Sequence, residues 1–359
     1  MRILNYGFKR KQRQSKLNSK LKSVIKWLLI SIFIFGSFYY VFKDIDFVKL
    51  QEYLLSADYF FVLLPVPIIL FSHWVRAYRW KTMLNPIVKV NSIWNLFSSV
   101  MIGYAVNTVV PRGGEFVRPY VTSKKEKISY SSTFATIILE RVIDVVTLVI
   151  IFGITFALLS DKIVKILPDN INPNQLIIIT TLIVLIILLN LYPPFVDFML
   201  RMTVKPFSVK LYEKLLGIVD RFKKGLAIVK EPSMYLKLIL ESFSIWFLYS
   251  LPLYILFFAF DFQSQLHLNL VDATMLVIVA GISVTISPTP NGAGVYQIFV
   301  PQAMVKLYGM NPEIALAYSI LAWATSTFTQ FIVGMIFFYK EGLKSFTIDR
   351  SIETANGEA

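Results

Sequence analysis

The chain has 359 residues, of which 56% are hydrophobic and only 16% charged, and its mean hydropathy is +0.62. Several charge-free runs approach the roughly 20 apolar residues that a membrane-spanning helix needs, which makes this a polytopic membrane protein. The formal net charge of +14 reads as the positive-inside bias and attraction to anionic lipid, because no nucleic-acid motif accompanies it. Zero Cys and two His exclude disulfides and thiolate chemistry and argue against a His-rich metal centre.

Residues 1–26 hold nine Lys/Arg and no acid, and an apolar run follows to Phe42. The run ends in bulky residues with no small-residue cleavage site, so it reads as an uncleaved first helix behind a basic arm, residues 1–23. Further apolar segments are expected at 59–80, 93–110, 130–158, 175–192, 235–260, 270–287, 295–308 and 314–339. Charge decides which of them span. The 43–58 connection is net negative and reads as external, with Asp44 and Asp46 as helix-end residues. The 193–233 loop carries eight Lys/Arg against four acids and reads as cytoplasmic. Both assignments hold only if 93–129 enters the membrane, turns at Pro111–Gly114 and leaves on the same side. A second such hairpin then turns at Ser287–Gly294. The expected fold is all-α, with about six transmembrane helices and two re-entrant hairpins in an inverted repeat, spanning 24–340 ahead of a short tail, 341–359. Both termini are expected on the cytoplasmic side.

The tips resemble one another: Pro111-Arg112-Gly113-Gly114 aligns with Pro290-Asn291-Gly292-Ala293 at a constant offset. Interrupted apolar segments at corresponding places in two halves point to a transporter's binding site. Irregular backbone survives at membrane depth only where it is buried in protein or lines a cavity. Asn107, Pro111, Glu115, Gly292 and Gly294 therefore join the candidate site. Gly113 and Gly114 are expected to allow positive φ and close backbone approach, and a helix start near Glu115 to offer free N–H groups to an anion.

The most informative residues are Glu140, Arg141 and Asp144, about 15–20 Å along a helix starting near Tyr130. Each unpaired charge there would cost about 2.5–3.5 kcal/mol. Arg141 is expected to pair with these acids, leaving one negative charge for Arg112 or Arg118 to balance. Either arginine also offers a planar fork suited to phosphate. His73, Arg76 and Trp80 share a helical stripe, with Trp80 expected at the interface. Trp323, Ser326, Thr327 and Gln330 form another stripe, which lines a polar cavity or supplies interhelical hydrogen bonds.

"RAYRW" (76–80), "GYAVNTVVPRGGEFVRPY" (103–120), "ERVIDVV" (140–146) and "SPTPNGAGVYQ" (287–297) together resemble the membrane domain of the lysylphosphatidylglycerol synthase/flippase family, also described as flippase-like or UPF0104 proteins. The resemblance covers about residues 25–340. It implies a lipid-translocating fold in the cytoplasmic (inner) membrane of a prokaryote, acting on a phospholipid or glycolipid without a cofactor. The family's best-understood members add an aminoacyl-transferase domain, whereas this chain stops at Ala359. A separate lipid-modifying enzyme is the partner this implies. Two alternatives remain open: a membrane-embedded transferase using Glu140 or Asp144 as base, and a non-transporting partner of a synthase.

Overall fold

The computed structural model describes residues 31–86, 88–160, 193–209, 211–213, 215–217 and 232–342, with the single residues 28, 162, 178 and 182. The helices are α1 (Ser31–Phe42), α2 (Phe47–Ser56), α3 (Tyr59–Leu63), α4 (Pro65–Leu84), α5 (Ile93–Asn107), α6 (Gly114–Glu126), α7 (Tyr130–Leu158), α8 (Pro193–Thr203), α9 (Pro232–Phe258), α10 (Phe262–Leu266), α11 (Leu270–Ile286), α12 (Val295–Tyr308) and α13 (Pro312–Lys340). No strand occurs among the described residues. Three segments are long and apolar enough to cross a bilayer: Tyr59–Leu84, Met234–Phe258 and Pro312–Lys340. Helix α7 has the length too, at 29 residues, but carries the three charges noted above. The expected 175–192 span and most of the 193–233 loop lie outside the described residues.

Local chemistry sets the helix ends. Asp46 caps α2 by accepting from the backbone N–H of Val48 and Lys49, so the helix-end reading of the Asp44–Asp46 stretch holds for Asp46. Asn269 and Asp272 form a reciprocal capping box at the start of α11. Asn311 caps α13 with Pro312 at its first position.

Both interrupted segments are helical hairpins. Helices α5 and α6 pack against each other, as do α11 and α12. The last residues of α5 and α11, Asn107 and Ile286, stand at the same offset as Pro111 and Pro290. The aligned tip residues Arg112 (φ 56) and Asn291 (φ 46) both take the left-handed conformation. The helix after each hairpin, α7 or α13, has 29 residues. The repeat thus extends from the tip motif to the elements around it.

Positive φ is corrected at this tip, where Gly113 is right-handed (φ −61, ψ −32) and Gly114 is not at positive φ. The expected close approach holds. A Cβ on Gly114 would stand far inside contact distance of the Gly103 carbonyl oxygen, and one on Gly334 would do the same at the Met101 carbonyl. Gly114 seals α6 onto α5, and Gly334 seats α13 on α5. At the second tip, Gly292 (φ 74) and Gly294 (φ 83) do need positive φ.

Each hairpin belongs to its own core. Trp80, Met83, Leu96 and Met101 centre the first, with Val333 and Phe337 of α13 packed on it. Phe257, Met304, Leu316 and Tyr318 centre the second. Helix α13 runs through both and ties the halves together. Outward faces stay apolar, as at Ile154, Phe247 and Ile332, which suits hydrocarbon rather than water.

Replacing Gly114 with alanine should separate α5 from α6 and destabilise the protein by about 3 kcal/mol. Gly153→Ala, where an added Cβ meets nothing within 4 Å, should leave stability unchanged or slightly raised. Thermal unfolding in detergent checks the pair, and similar midpoints for both variants would refute the seal.

Candidate functional site

The charges of α7 are met chiefly by α4. Arg76 donates from Nε to Glu140 Oε1 at 2.6 Å and from Nη2 to Asp144 Oδ2 at 2.6 Å. Arg79 Nη2 reaches Asp144 Oδ1 at 2.5 Å, and its Nη1 donates to Ser242 of α9 at 2.9 Å. Arg118, from α6, adds contacts of 3.0 and 2.9 Å to the two oxygens of Glu140. Its guanidinium lies 3.9 Å from the Trp80 ring centroid. One network therefore clamps α4, α6, α7 and α9.

Arg76 and Arg79 sit three residues apart on α4, as Glu140 and Asp144 sit four apart on α7, so each pair occupies one helical face. Glu140 and Arg79 are both 0% exposed. A buried carboxylate needs such partners, since desolvation outweighs a single attraction unless geometry and hydrogen bonding are complete.

Three expectations require correction here. Arg141 pairs with Asp144 as expected, but it is not the main countercharge of the buried acids. One residue along α7 from Glu140, it points about 100° away. It faces Glu115 at 3.2 Å and Asp144 at 3.6 Å, with 44% of its side chain exposed. Arg76 and Arg79 take the neutralising role, with Arg118 as anticipated, whereas Arg112 donates to the carbonyl of Thr285 on α11. Trp80 is not interfacial but 0% exposed, donating from Nε1 to Thr136 at 2.8 Å. Finally, the start of α6 offers no ready anion cradle. Gly114 N–H donates to Asn107 Oδ1 at 2.7 Å, Glu115 N–H to the Arg112 carbonyl, and Phe116 N–H to the Gly113 carbonyl. The Asn107 side chain satisfies the donor that a ligand would have used.

Beside the network lies a cavity of about 380 Å³, between α4, α7, α9, the second hairpin and α13. Arg76, Asp144 and Arg141 line its charged wall, and Trp323, Ser326, Thr327 and Gln330 line the opposite, neutral one. Both readings of the α13 stripe hold together. Trp323 donates to the Asn291 carbonyl at 2.9 Å, and Thr327 accepts from Asn291 Nδ2 at 2.6 Å. His73 is buried at the cavity edge, its ring 4.4 Å from that of Tyr104 and its Nε2 3.3 Å from Gln330 Nε2.

The candidate residues divide accordingly. Arg76, Arg118, Glu140, Arg141, Asp144 and, through Arg141, Glu115 converge. Asn291, Trp323, Ser326 and Gln330 line the same cavity as Arg76, Arg141 and Asp144. Asn107, Gly113 and Gly114 close the first hairpin, while Gly292 packs on Val284 and Gly294 on Ser37 of α1. Pro111 and Pro290 shape the turns and do not line the cavity. The tips meet through Arg112 and Thr285, a contact by one side chain. Arg79, Tyr104 and Tyr249, which accepts from Arg76 at 2.9 Å, went unnoticed in the sequence. The Arg76–Arg79 spacing opposite Glu140 and Asp144 was the available signal.

Glu140→Gln should cost about 3–5 kcal/mol by stranding buried guanidinium groups. Arg141→Gln, half exposed, should cost less than about 1 kcal/mol. Yield of monodisperse protein by size exclusion checks both, and equal yields would contradict the partition.

A family model for the lysylphosphatidylglycerol synthase TM region matches residues 24–334. A UPF0104 membrane protein of Pyrococcus horikoshii is 26% identical over 303 residues, 80% of this chain and 89% of that one. Another, from Methanocaldococcus jannaschii, is 30% identical over 238 residues, 65% of this chain and 93% of its own length. A glycosyltransferase of Haloferax volcanii is 22% identical over 285 residues, 73% of this chain but 46% of its own length. The family match takes in both hairpins, the arginine–carboxylate network and the cavity, and the chain belongs to the lysylphosphatidylglycerol synthase transmembrane-region family.

Proposed function

We propose that the protein moves a charged lipid between leaflets, passing the headgroup through the cavity while the acyl chains stay in the bilayer. The observation that carries this reading is Arg141. A guanidinium at bilayer depth is costly, and one left half exposed beside a cavity marks a functional site. Its planar fork matches phosphate oxygens. The cavity, at about 380 Å³, lies within the range of about 300–1,000 Å³ that small ligands occupy. The glycosyltransferase relative favours a second reading, lipid modification. Against it, Glu140 and Asp144 are both engaged by guanidinium groups, so neither stands free to take a proton from a substrate.

In this reading residues 24–340 form the transporting domain in a prokaryotic cytoplasmic membrane. The basic 193–233 loop and both termini face the cytoplasm, and a separate lipid-modifying enzyme supplies the substrate. The chain has no native cysteine, so Lys205→Cys should resist an impermeant thiol reagent in intact cells. Labelling there from outside would overturn this topology.

Reconstituted into liposomes with fluorescent phospholipids, the protein should speed dithionite-accessible exchange over protein-free vesicles. Arg141→Gln should slow that exchange by about tenfold or more, equivalent to about 1.4 kcal/mol. Arg201→Gln, on the exposed side of α8, should not slow it. A covalently altered lipid with no exchange would replace transport by the enzymatic reading.

A further inference from the structure

A groove of about 620 Å³ runs along the seam of α4 and α9, and among the described residues none lines both it and the cavity. The two helices are antiparallel, as the contacts Thr82–Glu241, Arg79–Ser242 and Arg76–Tyr249 show. Phe71 and Tyr78 of α4 and Leu240 and Phe247 of α9 line the groove and stay exposed. From Lys237 to Leu248 it extends about 16 Å along α9, half of a hydrocarbon core of about 30 Å. That is the depth of one leaflet.

The charged groups gather at one end. Lys237 and Glu241 sit four apart on one face of α9. Glu241 lies in a segment long and apolar enough to span, with 9% of its side chain exposed. Thr82 donates to its Oε1 at 2.9 Å. Lys237 Nζ stands 3.9 Å from the same oxygen, too far to donate a hydrogen bond, and 4.8 Å from the Tyr78 ring centroid. Oε2 is buried and accepts from none of the described residues. Glu140 and Asp144 have arginines at contact distance, whereas Glu241 has an oxygen left over. A buried acceptor without a donor is costly. A primary ammonium brings three donors and the opposite charge.

We infer that this groove is a binding site, apart from the cavity, for a phospholipid whose headgroup carries a primary ammonium beyond its phosphate. The ammonium donates to Glu241, the phosphate pairs with Lys237, and an acyl chain lies along Leu240 and Phe247 towards Leu248. Lys237 and Glu241 sum to zero charge, as such a headgroup does, so the groove complements a zwitterion. A quaternary ammonium has the charge but no N–H to donate, and a headgroup ending in hydroxyls lacks the charge. The site stands or falls independently of headgroup passage through the cavity.

The full chain in detergent is titrated, by thermophoresis, with short-chain phosphatidylethanolamine and with phosphatidylcholine of the same chains. The first should bind about tenfold more tightly. Glu241→Gln keeps the shape and an acceptor for Thr82 but not the charge, and should bring the two lipids within about threefold of each other. Lys237→Gln should weaken both and leave the preference. Ser244→Trp, which fills the groove from an exposed position, should weaken both without removing either charged group. Equal affinities for the unsubstituted chain, or a preference that survives Glu241→Gln, overturn the inference. So does binding unmoved by Lys237→Gln or by Ser244→Trp, which would place the lipid elsewhere. If Glu241→Gln fails to fold, the latter two variants decide the matter.

Discussion

The bidentate grip of Arg76 on Glu140 and Asp144 fixes the depth and rotation of α7 against α4, and the rest of the site follows from it. Two carboxylates on one helical face need more than one guanidinium, so Arg79 is drawn in from the same face of α4. Glu140 has a second oxygen, and Arg118 comes within 2.9 Å of it as an ion pair without hydrogen-bond geometry, only because α6 lies tight against α5. That closeness depends on Gly103 and Gly114 having no side chains. A glycine contact between hairpin arms is thus a condition of the electrostatics several residues away. Arg141 is left over by the same geometry: with the acids rotated towards α4, the next residue along α7 must face the cavity.

The second half of the molecule solves a similar hairpin differently. Its tip turns through left-handed Asn291, Gly292 and Gly294, and α13 holds it with neutral hydrogen bonds from Trp323 and Thr327. No charge is buried in that contact, so no countercharge has to be recruited. The cavity therefore has unlike walls, an ionic one on α4 and α7 and a neutral polar one on α13 and the second hairpin tip.

Much of this was legible in the sequence because the signals were costs. Pro and Gly ending apolar runs forecast the hairpins, and α7 and α12 begin and end at the residues expected of them. Glu140 and Asp144 stood out because an unpaired acid in hydrocarbon is expensive. The errors share a different cause. Arg76, Arg79 and Trp80 close an apolar run, where a charge or indole suits the interface as well as the interior. Only the rotation of α4 against α7 separates those cases. Likewise, glycine serves positive φ and close approach alike. The sequence motif held both, and packing assigned Gly114 to contact while Arg112 took the left-handed position. Arg141 pairs with Asp144 as its spacing indicates, while its angle from Glu140 leaves it half exposed beside Glu115.

The two ways of joining helices here also differ in how readily they part. Opening α4 from α7 separates carboxylates and guanidinium groups that neutralise one another in a low-dielectric interior, where stranding either partner is strongly unfavourable. Between the tips, Arg112 is exposed and donates to a backbone carbonyl in the last turn of α11, where the helix dipole favours a cation by about 0.3–1 kcal/mol. Loss of that contact strands no buried charge. The hairpin tips are therefore the weaker seam, and they lie beside Thr285 and Asn291, on the rim of the cavity that a headgroup would enter. The rigid part of the site carries the charge, and the part that yields at least cost borders its opening.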